Sequence, residues 1–228
     1  MLLSRAIVVA LSLTFGYSYT RAADPVFQLG KPVFFGSGCP AGKTVEVMTS
    51  PDGQVVSVLY SQFAAATSAN SMRDRKSCNL MLPVSVMEGT SIAVFQIDYR
   101  GYAYVPPNSP GASVNFQSEY FFAGSRGATV NQTWSTGSDA PIDLSTKMQL
   151  GATTWSPCGA STNFRINAAV TASKPSLTAQ DPQIAVDSTD MSVTNGVHMY
   201  ITYQPCTTAP KSNGNGKGNG NGNSEGNK

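Results

Sequence analysis

Apolar side chains recur at every second position through most of this chain, and no stretch sustains a helical spacing. Val45 and Val47 alternate with Thr44 and Glu46. Ser50-Pro-Asp-Gly53 then turns the chain into a second run from Gln54 to Tyr60, which predicts a hairpin. Cys78, Leu80 and Leu82 alternate as far as Pro83. The longest strand-like run is Ser91 to Val105. There Ala93, Phe95, Ile97 and Tyr99 are expected on the core side and Gln96, Asp98 and Arg100 on the other, with Gly101 permitting a bulge and a change of face. Val114, Phe116, Tyr120 and Phe122 mark another strand, and residues 128–135 one more. Phe164, Ile166, Ala168 and Val170 alternate against Asn163, Arg165 and Asn167. Ile184 to Val186 and Val197 to Tyr203 read as a final hairpin. Ala64 to Asn70, Arg73 to Lys76, Pro106 to Gly111, Thr136 to Ser145 and Lys174 to Pro182 read as loops. About ten strands separated by turn clusters predict an all-β fold, a single antiparallel two-sheet sandwich.

The two ends do not share this pattern. Arg5, an apolar run from Ala6 to Tyr17 and Thr20-Arg21-Ala22 together predict a signal peptide over residues 1–22. The run is too short to span a bilayer, and no membrane insertion is expected. From Lys211 to Lys228 the chain is Gly, Asn, Ser and Lys with one glutamate, Glu225, and no apolar residue, which predicts a disordered tail. The sandwich is therefore placed at residues 23–210. Without Arg5 and Arg21, the 15 Lys and Arg of the full chain become 13, matching 13 Asp and Glu. Residues 23–210 carry 10 basic and 12 acidic side chains. No basic footprint for nucleic acid or an anionic membrane remains.

Cys39, Cys78, Cys158 and Cys206 lack the spacing of metal ligands, and the chain has one histidine, His198. Two disulfides are expected, with three connectivities open. Pairing within halves, Cys39 with Cys78 and Cys158 with Cys206, is favoured because each pair brackets one half of the chain. Asn131-Gln-Thr133 is an acceptor sequon and predicts a solvent-facing Asn131 if a eukaryote makes the protein.

Five stretches carry a resemblance. GSGCPAG at Gly36 to Gly42, RKSCNL at Arg75 to Leu80, FQIDYRGYA at Phe95 to Ala103, WSPCG at Trp155 to Gly159 with FRIN at Phe164 to Asn167, and VDSTD at Val186 to Asp190 resemble the secreted proteins called domain of unknown function 4360. The resemblance spans roughly residues 36 to 206. It implies a secreted, disulfide-containing β domain with no assigned activity. Met87 stands where the resemblance leads one to expect proline, and the Gly/Asn tail lies outside it.

No reaction signature accompanies these motifs. A Ser-His-Asp hydrolase would need His198 as its base and has no GxSxG elbow to present a serine. Glu119, Asp98, Asp187 and Asp190 are the carboxylates open to a glycosidase. Asp187-Ser-Thr-Asp190 is short for a calcium loop and is explained equally by Asx turns. Tyr99, Tyr102 and Tyr104, with Trp134 and Trp155, could stack on sugars, although aromatic residues of a sandwich more often fill its core. Gln96, Asp98 and Arg100 form the candidate polar site, in which Asp98 and Arg100 are read either as a buried structural pair within a hydrogen-bond network, the favoured reading, or as the floor of a polar groove. No catalytic residue, metal or cofactor is assigned. The function expected is a secreted, non-enzymatic interaction protein that binds an extracellular protein or glycan, a host or cell-surface partner or a wall polysaccharide; the alternative is a secreted hydrolase acting on cell-wall glycan.

Overall fold

The computed structural model describes residues 25–40, 45–147, 155–186 and 196–207. The signal segment, the tail from Lys211 and the Asp187-Ser-Thr-Asp190 stretch lie outside them. In chain order the strands are β1 (Phe27–Leu29), β2 (Val33–Phe35), β3 (Val45–Thr49), β4 (Val55–Tyr60), β5 (Ala64–Ala66), β6 (Arg73–Val86) and β7 (Thr90–Tyr104). They continue with β8 (Ser113–Phe122), β9 (Ala128–Ser135), β10 (Asp139–Lys147), β11 (Ser161–Ser173), β12 (Gln183–Ala185) and β13 (Gly196–Pro205). The first sheet runs β1-β6-β11-β8-β9, with β2 also on β6. The second runs β3-β4-β13-β7-β12-β5, with β10 on the far side of β7. All pairings are antiparallel.

The core lies between the sheets and is built from alternate residues of each long strand, as period-two patterning requires. Val114, Phe116, Tyr120 and Phe122 from β8 and Phe164, Ile166, Ala168 and Val170 from β11 meet Val56, Val58, Ile97, Tyr99, Val197 and Met199 from the second sheet. Tyr99 packs on Phe116 at 4.7 Å between ring centroids, and its hydroxyl donates across the core to Ser118 Oγ at 3.1 Å. Two disulfides pin the margins: Cys39 to Cys78 holds the entry segment on β6, and Cys158 to Cys206 joins the segment before β11 to the end of β13. This is the pairing within halves favoured from the sequence. Lys174 organises the loop after β11. Its ammonium is buried and donates to Leu177 O (3.2 Å), Ala179 O (3.0 Å) and the Asp181 carboxylate (2.7 Å), which also accepts from Thr67 Oγ1.

Several sequence expectations are corrected. Thr136 to Ser145 is largely strand, not loop, because Ile142 and Leu144 alternate inward opposite Gly101 and Tyr99 while Pro141 sits on an outer edge that tolerates it. Arg73 to Lys76 is the start of β6, paired with Ser173 to Val170, and Lys76 lies 3.0 Å from the Asp74 carboxylate. Ala64 to Ala66 is β5. The supposed final hairpin does not form: β12 and β13 lie end to end along one edge of β7, β12 on Tyr102 to Tyr104 and β13 on Thr90 to Arg100.

The bulge in β7 is at Phe95, not Gly101. The register shifts between Tyr200 and Ile201 of β13, which pair with Gln96 and Val94, so Phe95 is the extra residue. Ile92 and Val94 therefore face the core before it, Ile97, Tyr99 and Ala103 after it, and Phe95 is turned out to solvent. Ala93, expected in the core, faces outward and is buried there, its backbone bridged to Trp155. Gly101 serves a different need. A Cβ built there would stand 2.1 Å from Ala185 O, so only glycine lets β12 pass this close. Gly101→Ala is expected to lower stability by about 1–3 kcal/mol, as overpacking does, read as a shift in denaturant midpoint. Gly53→Ala has open space around its Cβ and should show only the smaller cost of its positive φ.

Candidate functional site

After the bulge, β7 turns Gln96, Asp98, Arg100, Tyr102 and Tyr104 to the outer face of the second sheet. The register then builds rows across the strands. Ser57, His198, Asp98 and Ser145 stand side by side on β4, β13, β7 and β10. Tyr200 stands beside Gln96, and Asp143 beside Arg100. Toward the other end, Tyr102 and Tyr104 face Ala185 and Gln183 of β12, which in turn face Ala64 and Ala66 of β5. Two depressions adjoin along β7. One, of about 610 Å³, lies between the Thr49-Ser50-Pro51 turn and Ser57, His198, Tyr200 and Arg100; the other, of about 500 Å³, has an alanine floor and Tyr102 as a wall.

Asp98 does not form the buried ion pair with Arg100 that the sequence suggested. It is 6% exposed and accepts from Gln96 Nε2 at 2.9 Å and from the Ser145 and Tyr200 hydroxyls. Burial pushes its pKa up, but those three hydrogen bonds, and more weakly the Arg100 charge, hold the carboxyl below its ordinary value. Arg100 reaches outward instead, to 3.9 Å from the Asp143 carboxylate, with both side chains well exposed. The physical reason is the flat strand: residues two apart on one face have their nearest neighbours across the ladder, where hydroxyl and amide donors already surround Asp98.

His198 shares a 2.8 Å hydrogen bond through Nδ1 with Ser57 Oγ and is half-buried. Desolvation lowers its pKa, Arg100 lowers it further, and Asp98 opposes both. Serine, histidine and aspartate thus stand in one row without the geometry of a relay. Asp98 is engaged by Gln96, Ser145 and Tyr200, and the ring nitrogen that a carboxylate would orient is taken by Ser57. Among the described residues no group of three or more His, Cys, Asp and Glu side chains could hold a metal ion, and no helix is long and apolar enough to cross a membrane.

The aromatic residues proposed for stacking separate. Tyr99 is in the core, Trp134 packs on the core from the first sheet, and Trp155 pairs through its backbone with Ala93 at the edge of β7. Tyr102 remains on the open face and donates to Asp139 Oδ1. Sequence reasoning missed Ser57, Ser145 and Tyr200. The alternation of His198 and Tyr200 with Val197, Met199 and Ile201 was the available signal for β13. Ser57, the one hydroxyl between apolar neighbours before Tyr60, was the signal for β4.

The family model for a domain of unknown function, DUF4360, matches residues 27–206, from the first residue of β1 to the cysteine that closes the second disulfide. The chain belongs to the DUF4360 family. A protein of Arthroderma benhamiae described as an uncharacterized secreted protein is 34% identical over 179 residues, covering 75% of this chain and 69% of that one. With that relative and two disulfides of a kind kept outside reducing compartments, this DUF4360 protein is secreted. Among solved structures, TmCBM61 in complex with beta-1,4-galactotriose is 11% identical at a TM-score of 0.29, covering 76% of this chain and 88% of its own. The extra small virus particle of the giant freshwater prawn Macrobrachium rosenbergii is 9% identical at a TM-score of 0.21, covering 87% and 94%. Likenesses this faint carry no argument.

The site's electrostatics can be read directly, because His198 is the chain's only histidine. Its folded pKa lies below the ordinary 6.5, so the folded protein binds fewer protons than the unfolded chain as the pH drops below that value. The corresponding stability is complete above pH 6.5 and is lost as the solution is acidified through the folded value. By NMR titration, Arg100→Ala should move the His198 pKa up and Asp98→Asn should move it down. Asp98→Ala, which orphans its donors, should cost about 1–3 kcal/mol, whereas Arg100→Ala should cost at most about 1 kcal/mol, by denaturant midpoint.

Proposed function

We propose that this protein is a non-catalytic binding domain that takes an extracellular glycan along the outer face of its second sheet. One observation carries the reading: β7 presents Gln96, Asp98, Arg100, Tyr102 and Tyr104 in a single line, about 25 Å from first to last at the rise of a strand. Phe95 and Tyr200 stand at one end, 6.1 Å apart, and the alanine-floored depression beside Tyr102 lies at the other. Sugar rings offer an apolar face to aromatic rings and hydroxyls to amides, carboxylates and guanidinium groups, and this line presents both, three polar side chains followed by two tyrosines. The open, elongated shape suits a chain lying along the sheet better than a small molecule enclosed in a pocket.

The hydrolase reading gains nothing from the geometry. The Ser57–His198–Asp98 row lacks a carboxylate-to-imidazole contact, and its backbone N–H groups are committed to the ladder, leaving no oxyanion hole. Glu119 lies on the first sheet, paired across strands with Asn167 and Thr129, on the opposite side of the molecule from Asp98. Asp187 and Asp190 fall outside the described residues.

The test pairs a glycan array and pull-downs on insoluble polysaccharides with an assay for reducing ends. Binding without release of reducing ends is expected. Tyr102→Ala and Tyr200→Ala should each weaken binding by about fivefold, equivalent to about 1 kcal/mol of stacking. Phe121→Ala, on the outer face of the first sheet, should leave binding unchanged. Release of reducing ends, or affinity indifferent to both tyrosines, would overturn the reading.

A further inference from the structure

The free strand edges of this sandwich are guarded unequally. An edge strand offers unpaired N–H and C=O groups to any other chain, and proteins blunt such edges with short strands, prolines or charges. In the first sheet β1 and β2 are three residues each; in the second, β5 is three residues and β3 is five, with Glu46 at its second position. The long edge strand β10 carries Pro141, Asp139 and Asp143. The other long edge is β9, eight residues reading ATVNQTWS, with no charge and no proline. It is an uncharged run beside open solvent, with Thr129, Val130, Thr133 and Trp134 as β formers, and nothing in its composition blocks edge-to-edge pairing. What β9 does carry is the sequon.

In an extended strand, Asn131 and Thr133 project from the same face, and both are exposed on the outer side of the first sheet. Asn115 of β8, paired with Thr133, orders them from the side: its Nδ2 lies 2.7 Å from Asn131 Oδ1, 2.9 Å from Thr133 Oγ1 and 3.0 Å from Gln132 O. Asn131 Nδ2, the atom that would carry a sugar, takes no part in these bonds, and Asn131 is exposed.

We propose that Asn131 is an N-glycosylation site and that its glycan shields the open edge of β9. In the modification, a polyprenyl-diphosphate oligosaccharide is the donor. The Asn131 amide nitrogen forms a bond to C1 of the first sugar and loses one proton, while the bond from C1 to the diphosphate oxygen breaks and the polyprenyl diphosphate leaves. A hydrated glycan at the midpoint of β9 keeps a second chain from laying a strand against it. The first sheet becomes the shielded face of the sandwich, and the second sheet's outer face stays open.

The full chain is secreted from a yeast, and the tryptic peptide from Gly127 to Lys147 is analysed by mass spectrometry before and after an amide-cleaving glycosidase. A glycan on Asn131, released with conversion to aspartate, is expected; an unmodified peptide overturns the site. Because that conversion adds a charge to β9, the shielding is tested with Asn131→Gln instead. As its concentration rises, its elution should shift toward dimer and larger species, while the glycosylated protein stays monomeric. Adding Thr129→Lys, which places a lysine opposite Glu119 on the same edge, should return the variant to monomer. An Asn131→Gln protein that folds and stays monomeric at every concentration overturns the shielding, as does association that Thr129→Lys leaves unchanged.

Discussion

Backbone hydrogen bonding on both edges of β7 is the constraint on which the rest of the structure depends. A strand buried on one face must pair its main-chain groups along its whole length, and fifteen residues are more than one neighbour here supplies. One edge is completed by β13 as far as Arg100 and then by β12. The other is completed by the Trp155–Gly159 segment at the start, through bonds such as Ser156 N to Ile92 O at 2.8 Å and Gly159 N to Thr90 O at 2.8 Å, and by β10 from Gln96 onward. The Cys158–Cys206 disulfide closes this arrangement, joining the two neighbours that flank the first residues of β7. The stretches that carry the family resemblance, FQIDYRGYA and WSPCG, are thus strand and splint of one ladder.

The single extra residue at Phe95 then decides the chemistry of the outer face. Before it the even-numbered side chains point inward; after it the odd-numbered ones do. Carried on without the bulge, the phase of Ile92 and Val94 would drive Gln96, Asp98 and Arg100 into the core and expose Ile97 and Tyr99. A buried carboxylate and guanidinium would lack the hydroxyl and amide donors that now surround Asp98, a cost of several kcal/mol per ion. The bulge sets the polar row outside, where β13 and β10 supply His198, Tyr200 and Ser145.

Much of the fold was legible in the sequence because alternation is a property of the chain itself. The β3–β4 hairpin, the long strand through Ile97 and Tyr99 and the β8 and β11 faces follow from local pattern, and the Cys39–Cys78 and Cys158–Cys206 pairs are the connectivity favoured among the three open. What failed were segments whose strand character is imposed by a partner. Asp139 to Lys147 looks like a turn until Ile142 and Leu144 are set against β7, and Arg73 to Lys76 looks solvated until β11 pairs with it. The bulge was misplaced for the same kind of reason: glycine marks a close approach, here of Ala185, as readily as a bulge. At the site, Gln96, Asp98 and Arg100 were correctly set on one face. Their partners lie about forty to one hundred residues away along the chain, and only the register brings them together.

The way the polar row satisfies itself bears on how a ligand can be held. Asp98 has committed its oxygens to Gln96, Ser145 and Tyr200, and Ser57 Oγ and His198 Nδ1 are bonded to each other, so a ligand gains little by replacing those bonds. The groups free to contribute are those at the margins: the Arg100 guanidinium, loosely set against Asp143, the ring faces of Tyr102 and Tyr200, and the Gln183 amide above the alanine floor. These groups are spread along β7 rather than clustered, so a short ligand meets few of them at once and a long one meets many. Because they sit on paired strands, little ordering is required when a ligand arrives, and each added contact adds to affinity with little entropic loss. On the binding role proposed here, such a face would discriminate by the length and shape of a chain rather than by the identity of one residue within it.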